Sequence, residues 1–422
     1  MNKNMSLKTP LFLWSLATLF FAFQFILRLS TGVLREEIIQ KFAVDTIAFG
    51  TLAGYYYLGY ATMQLPIGIM LDKFNFKIVI FISILITSLG TFIFSTSSDF
   101  FYLLIGRLMI GAGSAVGFLS VAKITTSYFT LKYHSLMLGM SFTFGLIGAI
   151  FGITPMKMLF THFGYHYTFN CLAIVGIIIG LMILLVKTDN NSNVSNMNHV
   201  SNSEPNISIF KLLLNPTILL IGLFGGLMVG ALEGFADMWA MPFFKQVYQM
   251  SDIKSNLVTS FVYIGMCFGG PILAIIANLV KSPNLVIIIT GLVMTIIFVV
   301  LLLCPSLNFT ISSSLMFLLG IVCCYQVLIF TVVSNIVSVK SAGLAIAVVN
   351  CINMSFGHFF HKMISILISY NWDGMLNESG TPMYSHDDFM IAIAVIPVCC
   401  SIGTVGFLYL SRKAKMKTQP LA

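Results

Sequence analysis

Apolar runs of the length needed to cross a bilayer, about 20 residues, recur along this chain from residue 11 to residue 410. Only 9% of its 422 residues are charged and 58% are hydrophobic, whereas a soluble domain carries roughly 25% charged residues. The solvent for most of the chain is therefore lipid, and no stretch is left over for a large soluble domain. The runs fall at 11–33, 47–71, 77–95, 100–121, 135–158 and 167–186, then at 215–240, 254–278, 284–304, 309–335, 343–369 and 388–410. They predict an all-α membrane protein of twelve transmembrane helices in two sets of six.

Between the sets lies 187–211, rich in Asn and Ser and nearly free of large apolar residues until Ile207. Such a segment cannot bury enough surface to fold and reads as a flexible linker. The expected division is thus 1–186, a first six-helix bundle; 187–211, a linker; and 212–422, a second bundle. Lys3 and Lys8 ahead of the first run give Met1–Pro10 a superficial likeness to a signal peptide. The run is too long for one and lacks a small-residue cleavage site, so it reads as an uncleaved first span.

Placement of Lys and Arg sets the expected orientation. One side collects Lys3, Lys8, Lys73, Lys77, Lys123, Lys132, Lys187, Lys211, Lys281, Lys340, Arg412, Lys413, Lys415 and Lys417; the other collects Arg35, Lys41, Lys245 and Lys254. Fourteen against four places the first side, with both termini and the linker, in the cytoplasm of a bacterium, and the chain in its inner membrane. The net charge of +8 is then an orientation signal and not a nucleic-acid footprint. The eight cysteines lie in or beside apolar runs with no CxxC or zinc-like spacing, which reads as packing.

The two sets echo each other. Tyr57-Leu58-Gly59 opens a stretch ending at Asp72; 206 positions on, Tyr263-Ile264-Gly265 opens one ending at Asn278. Gly68 matches Ala274, and a weaker echo links Phe144-Gly145 with Phe356-Gly357. Both matches fall at corresponding spans, as duplication requires, and duplicated halves are a common plan for secondary transporters.

Several of these segments resemble the major facilitator superfamily. Gly68-Ile69-Met70-Leu71-Asp72-Lys73-Phe74-Asn75-Phe76-Lys77 is similar to the family's loop pattern Gly-x-x-x-Asp-Arg/Lys-x-Gly-Arg/Lys, with Asn75 in place of the second Gly. Arg107, followed by Gly111, resembles its Arg-x-x-x-Gly motif, and the small residues through Gly117 allow close helix approach. The stretch from Glu233 to Phe243 and Tyr370–Gly374 look like segments of a bacterial subgroup. Span five, with Gly145, Gly148, Gly152 and Pro155, lacks the family's Gly-Pro-x-x-Gly-Gly antiporter core. The resemblance implies a major facilitator fold of two pseudo-symmetric bundles, alternating access, a cavity lined by helices one, four, seven and ten, and a gating role for Asp72 and Lys73 at the cytoplasmic side.

Ionisable groups inside hydrocarbon cost about 2.5–3.5 kcal/mol on insertion scales and persist where they face a cavity, a partner or a solute. Arg28 in span one can hold a carboxylate bidentately, with Gln24 one turn earlier on the same face; the rival reading is snorkelling or a structural pair with an outer acid such as Glu36. Arg107 is a structural or a coupling residue. Glu233 is the candidate for proton coupling, against a static ion pair, and Asp237 one turn later reads as a hydrated residue near the span's end. His358, His361 and Lys362 form a relay or a polar vestibule. Tyr56, Tyr60 and Gln64 follow i, i+4, i+8 and can line a cavity, as can Tyr325, Gln326, Asn350 and Asn353; anchoring and helix joining are the rival roles.

No Walker loop, GxSxG, HExxH or metal-ligand pattern is present, so no enzyme activity, cofactor or metal is expected. The chain reads as a monomeric secondary active transporter drawing on an ion gradient, with protons the candidate ion, or on the solute's own gradient. The leading solute is a small polar organic molecule such as an amino acid or short peptide taken up by symport, Arg28 receiving its carboxylate and Glu233 its amine or a proton. Export of drugs or metabolites and a non-transporting sensor on the same fold are the alternatives.

Overall fold

The computed structural model describes residues 8–187, 214–304, 306–337, 339–370, 372–376 and 382–418. Past Lys187, the expected linker lies outside the described residues, as do Lys3 and Lys211 of the charge count. Twelve long helices make up the fold: α1 Lys8–Val33, α2 Thr46–Lys73, α3 Phe76–Thr96, α4 Phe100–Tyr128, α5 Leu131–Phe151, α6 Tyr165–Leu185, α7 Pro216–Val247, α8 Asp252–Val280, α9 Pro283–Leu303, α10 Phe309–Ser334, α11 Val339–Tyr370 and α12 His386–Lys413. Within hydrocarbon only a helix satisfies its own backbone groups segment by segment. Eleven of the twelve are apolar and long enough to span a bilayer. The remaining one, α2, has 28 residues, about 42 Å at 1.5 Å per residue, but Tyr55, Tyr56, Tyr57, Tyr60 and Gln64 lower its hydropathy.

Helix starts carry the cap residues that satisfy orphan backbone N–H groups. Asp45 accepts from Ala48 N, Asp99 from Phe101 N, Asn308 from Ile311 N, and Ser385 with Asp388 forms a reciprocal capping box. Two features differ from expectation. Span five stops at Phe151, and a separate helix, Thr154–Phe163, restarts with Pro155 in its first turn, where the missing N–H costs nothing. The polar stretch after α1 is a short helix, Arg35–Phe42, that buries Ile38 and Ile39 and has Glu36 and Glu37 in its first turn and Lys41 in its last, which suits the helix dipole.

The internal echo corresponds to a physical device. A methyl group on Gly59 would lie 2.2 Å from the Leu108 carbonyl oxygen, and one on Gly111 1.9 Å from that of Tyr56, so α2 and α4 cross in backbone contact. In the second half a methyl on Gly265 would lie 2.0 Å from the Phe317 oxygen and one on Gly320 1.9 Å from that of Val262. The α8–α10 crossing therefore repeats the α2–α4 crossing. Four residues beyond Gly111 and Gly320, both α4 and α10 are interrupted, at Ala115 and Cys324.

The halves meet along α2 and α11. Gly50 packs on Ser365, Gly54 on His358 and Gly357 on the Tyr57 ring, each too close to admit a methyl group. Nearer the opposite ends of these helices, Gly68 and Gly343 have open space at the same position. The end of the molecule carrying Arg35–Phe42 is thus sealed between the halves, and the Asp72 end is not held at these two glycines. Accordingly, Gly111→Leu or Gly320→Leu is expected to lower the unfolding midpoint of detergent-solubilised protein by the equivalent of about 1–3 kcal/mol or more. Gly68→Ala should leave it unchanged; equal effects from all three would refute the crossing argument.

Candidate functional site

The centre of the seal is an ion cluster contributed by both halves. Arg28 of α1 donates through Nε to Asp237 Oδ2 at 2.6 Å and through Nη2 to Glu233 Oε2 at 2.7 Å, both acids lying on α7. All three side chains are buried. Tyr57 of α2 donates to the same Asp237 Oδ2, and Tyr263 of α8 donates to Oδ1 at 2.6 Å. The guanidinium also lies over the Tyr57 ring, 4.9 Å from its centroid. Asp237 is therefore not a hydrated residue near a helix end: its carboxylate is held by one guanidinium and two phenols.

Local backbone brings the two acids to this position. Around them α7 departs from α geometry, with a 3₁₀ turn at Val229–Ala231 and a π-helical stretch, Leu232–Trp239. Such wide turns are frequent at functional sites. Gly230 and Gly234 face the Phe360 ring and side chain of α11, where a Cβ would collide.

Arg107 braces the site from behind. It donates through Nη1 and Nη2 to the carbonyls of Leu27 and Arg28, both at 2.8 Å, and lies over the Tyr56 ring. In this conformation it binds the α1 backbone and no carboxylate. Two guanidinium groups thus face two carboxylates, and neutrality holds only while both acids are ionised.

Toward the Asp72 end, a set of amides and phenols adjoins the cluster. Gln24 accepts from Tyr56, and Tyr60 packs near the Tyr56 ring. Gln64 and Asn353 are buried, and Gln64 Oε1 and both amide atoms of Asn353 have no partner. Gln326 lies beside Glu233. Buried polar atoms of this kind are normally satisfied, so these side chains are suited to bind a solute. Tyr325 is not: its hydroxyl donates to Gly225 O at 2.8 Å, a joint inside the second half. Asn350 is half-buried on α11.

The remaining sequence candidates disperse. His361 is buried, its ring 5.2 Å from that of Tyr57, with neither nitrogen partnered. His358 is half-buried against Gly54, and Lys362 is exposed. At the far end Asp72 pairs with Lys123 at 2.8 Å, joining α2 to α4 within the first half; Lys73 is exposed. At the sealed end, Lys245 bridges Glu36 at 3.3 Å and Asp252 at 3.0 Å, and Asp252 takes Lys157 at 2.8 Å. Tyr384 donates to Thr46 at 2.7 Å. The half-exposed ion pairs are individually weak, roughly 0–1 kcal/mol, but Lys245–Glu36 and Lys157–Asp252 cross between the halves, as does the buried Tyr384–Thr46 bond. Lys157 joins the minority side of the charge count.

Sequence reading missed Tyr57 and Tyr263. The signal was present: they are the first residues of the two echoed stretches, 206 positions apart. Removing Arg28 would leave two carboxylates buried without their counterion, a loss of about 3–5 kcal/mol. Arg28→Ala is expected to abolish uptake and lower the melting temperature of the purified protein, and adding Asp237→Asn should recover part of the melting temperature but no uptake. Unchanged uptake would remove Arg28 from the site.

Comparison with known proteins agrees with this architecture. The family model described as Major Facilitator Superfamily matches residues 13–360. Among curated proteins, the probable galactarate/D-glucarate transporter GudP of Bacillus subtilis is 26% identical over 168 residues, 38% of this chain and 36% of its own length. The corresponding GarP of Escherichia coli K12 is 24% identical over 274 residues, 55% of this chain and 59% of its own. The matched stretch thus spans about a third to three-fifths of these relatives. Among solved structures, an occupied, inward-facing bacterial homologue of the lysosomal transporter Spinster superposes with a TM-score of 0.76 at 17% identity, covering 99% of this chain and 100% of the other. The nucleoside transporter NupG does so with a TM-score of 0.69 at 14% identity, covering 94% and 98%.

Proposed function

The chain belongs to the Major Facilitator Superfamily, and from that premise we propose that it takes up a small carboxylate-bearing solute by alternating access, coupled to protons. That it is a multi-pass membrane transporter, not an enzyme, follows from the family; solute, direction and coupling are the proposal. The curated relatives are named for sugar diacids, so that class replaces the amino acid or peptide suggested by the sequence, which no comparison supports.

One observation carries the reading: Arg28 is held by two carboxylates from the opposite half, and buried amide atoms without partners lie farther along the neighbouring helices, on Gln64 of α2, two turns past Tyr57, and on Asn353 of α11 against Gly225 of α7. An incoming carboxylate competes for the same guanidinium. Protonation of Glu233 releases Nη2, the solute carboxylate takes its place in a charge-assisted pair, and the amides bind its hydroxyl groups. Exchange of partner replaces one of the two ion pairs between α1 and α7 and leaves the one to Asp237, so the tie between the halves weakens with proton and solute in place. The bias of basic residues, fourteen to five once Lys157 is counted, supports a cytoplasmic Asp72 end, which makes the sealed end external and the conformation inward-facing.

Purified protein in liposomes is expected to accumulate radiolabelled D-glucarate or galactarate under an inward proton gradient, at least ten-fold over leucine or dialanine. Accumulation of the amino acid or dipeptide instead, or no response to the gradient, contradicts the proposal. Glu233→Gln should retain solute counterflow at equal pH while losing the response to the gradient. Equal loss of both would make Glu233 a structural ion-pair member.

A further inference from the structure

On the sealed side of Asp237 a small cavity lies between α1, α7, α8 and the break after α5 at Ile153, distinct from the amide-lined region on the other side of the cluster. It offers about 20 Å³ to the centre of a water-sized molecule, enough for one water, which needs about 10–15 Å³. Asp237, Asn256 and Thr259 line it, and so do Gly32, Val33 and Met241. The last three are half-buried, so the cavity reaches toward the sealed surface. Asn256 is only 2% exposed, yet its Oδ1 has no hydrogen-bond partner. An unsatisfied buried acceptor costs about 1–3 kcal/mol, and a water in the adjoining cavity removes that cost.

These residues are part of a longer pattern on α8. Asp252, Asn256, Thr259 and Tyr263 follow i, i+4, i+7 and i+11, one face of a helix, over about 16 Å. The stripe begins at Asp252 in the half-exposed ion pairs with Lys157 and Lys245 and ends at Tyr263, which donates to Asp237. Polar groups thus run from the surface toward the buried carboxylate, and the middle two, Asn256 and Thr259, line the cavity.

We propose that this stripe and its cavity hold water and form the sealed-side route by which protons reach Asp237, while Glu233, beside Gln326, is reached from the amide-lined side. The proton route rests on the coupling reading above. The groups facing Asp237 are Arg28 from α1, Tyr57 from α2, Tyr263 from α8 and Glu233 on α7, with Arg107 of α4 and His361 of α11 behind them. The break between α5 and the helix Thr154–Phe163 contributes the apolar Ile153 to the cavity wall. Two carboxylates approached from opposite sides give one cluster two proton entrances.

Two measurements test this on the full-length protein. The first needs no solute: X-ray hydroxyl-radical footprinting labels side chains next to bound water. Met238, which lines the cavity and is 4% exposed, should be oxidised several-fold faster than the buried Met294, and Asn256→Leu, of the same branched outline but apolar and bulkier, should remove the difference. Equal labelling of Met238 and Met294 in the unaltered protein overturns the water site. The second uses D-glucarate in proteoliposomes. Asn256→Leu and Thr259→Val are each expected to cut gradient-driven uptake at least five-fold with counterflow within two-fold of the unaltered protein. Equal decline of both activities, no decline, or a requirement for sodium ions overturns the proton route. An unaltered protein that ignores the proton gradient refutes the coupling reading instead, leaving the footprinting result to decide the water site.

Discussion

A guanidinium shared between two carboxylates of the opposite half governs this molecule. Arg28 cannot leave Glu233 and Asp237 without stranding charge in a region where stranded charge is expensive. The halves are therefore held together at one end by an interaction that is strong while complete and unfavourable once a member is lost. That is the behaviour a gate requires. The surrounding groups act on the same bond: Tyr57 and Tyr263 hold Asp237 in place, Arg107 fixes the α1 backbone beneath Arg28, and the glycines of α2 and α11 let the helices close over it.

Much of the architecture was legible in the sequence because lipid imposes a simple grammar. Long apolar runs have to be helices, and the basic residues at their ends report an orientation. The short helix Arg35–Phe42 escaped because eight residues with mixed charge carry no transmembrane signal. The break after Phe151 escaped because Pro155 lies inside a run that is apolar throughout. Neither alters the order of the twelve spans.

The site was legible residue by residue but not as an assembly. Arg28, Glu233 and Arg107 stand out as charges in apolar surroundings, yet nothing in the linear chain says that Arg28 and Glu233 touch, 205 positions apart. Tyrosines are harder still, since their common duties in membranes are anchoring and packing. Tyr56 and Tyr60 were singled out for their spacing, while Tyr57, on another face of the same helix, makes the contact with Asp237. The echo of Tyr57 in Tyr263 has a structural counterpart: the two positions grip a single carboxylate from both halves.

The weak hydropathy of α2 bears on how the chain is made. A helix so rich in tyrosine and glycine gains little by entering lipid alone, while its neighbours α1 and α3 enter readily. During synthesis α2 has to be held by one of them, as a hairpin, before its own polar groups are covered. The close approach of Gly59 and Gly111 is available only once α4 has emerged from the ribosome. Until then the most function-laden helix of the first half waits, half-solvated, for a partner encoded some fifty residues downstream.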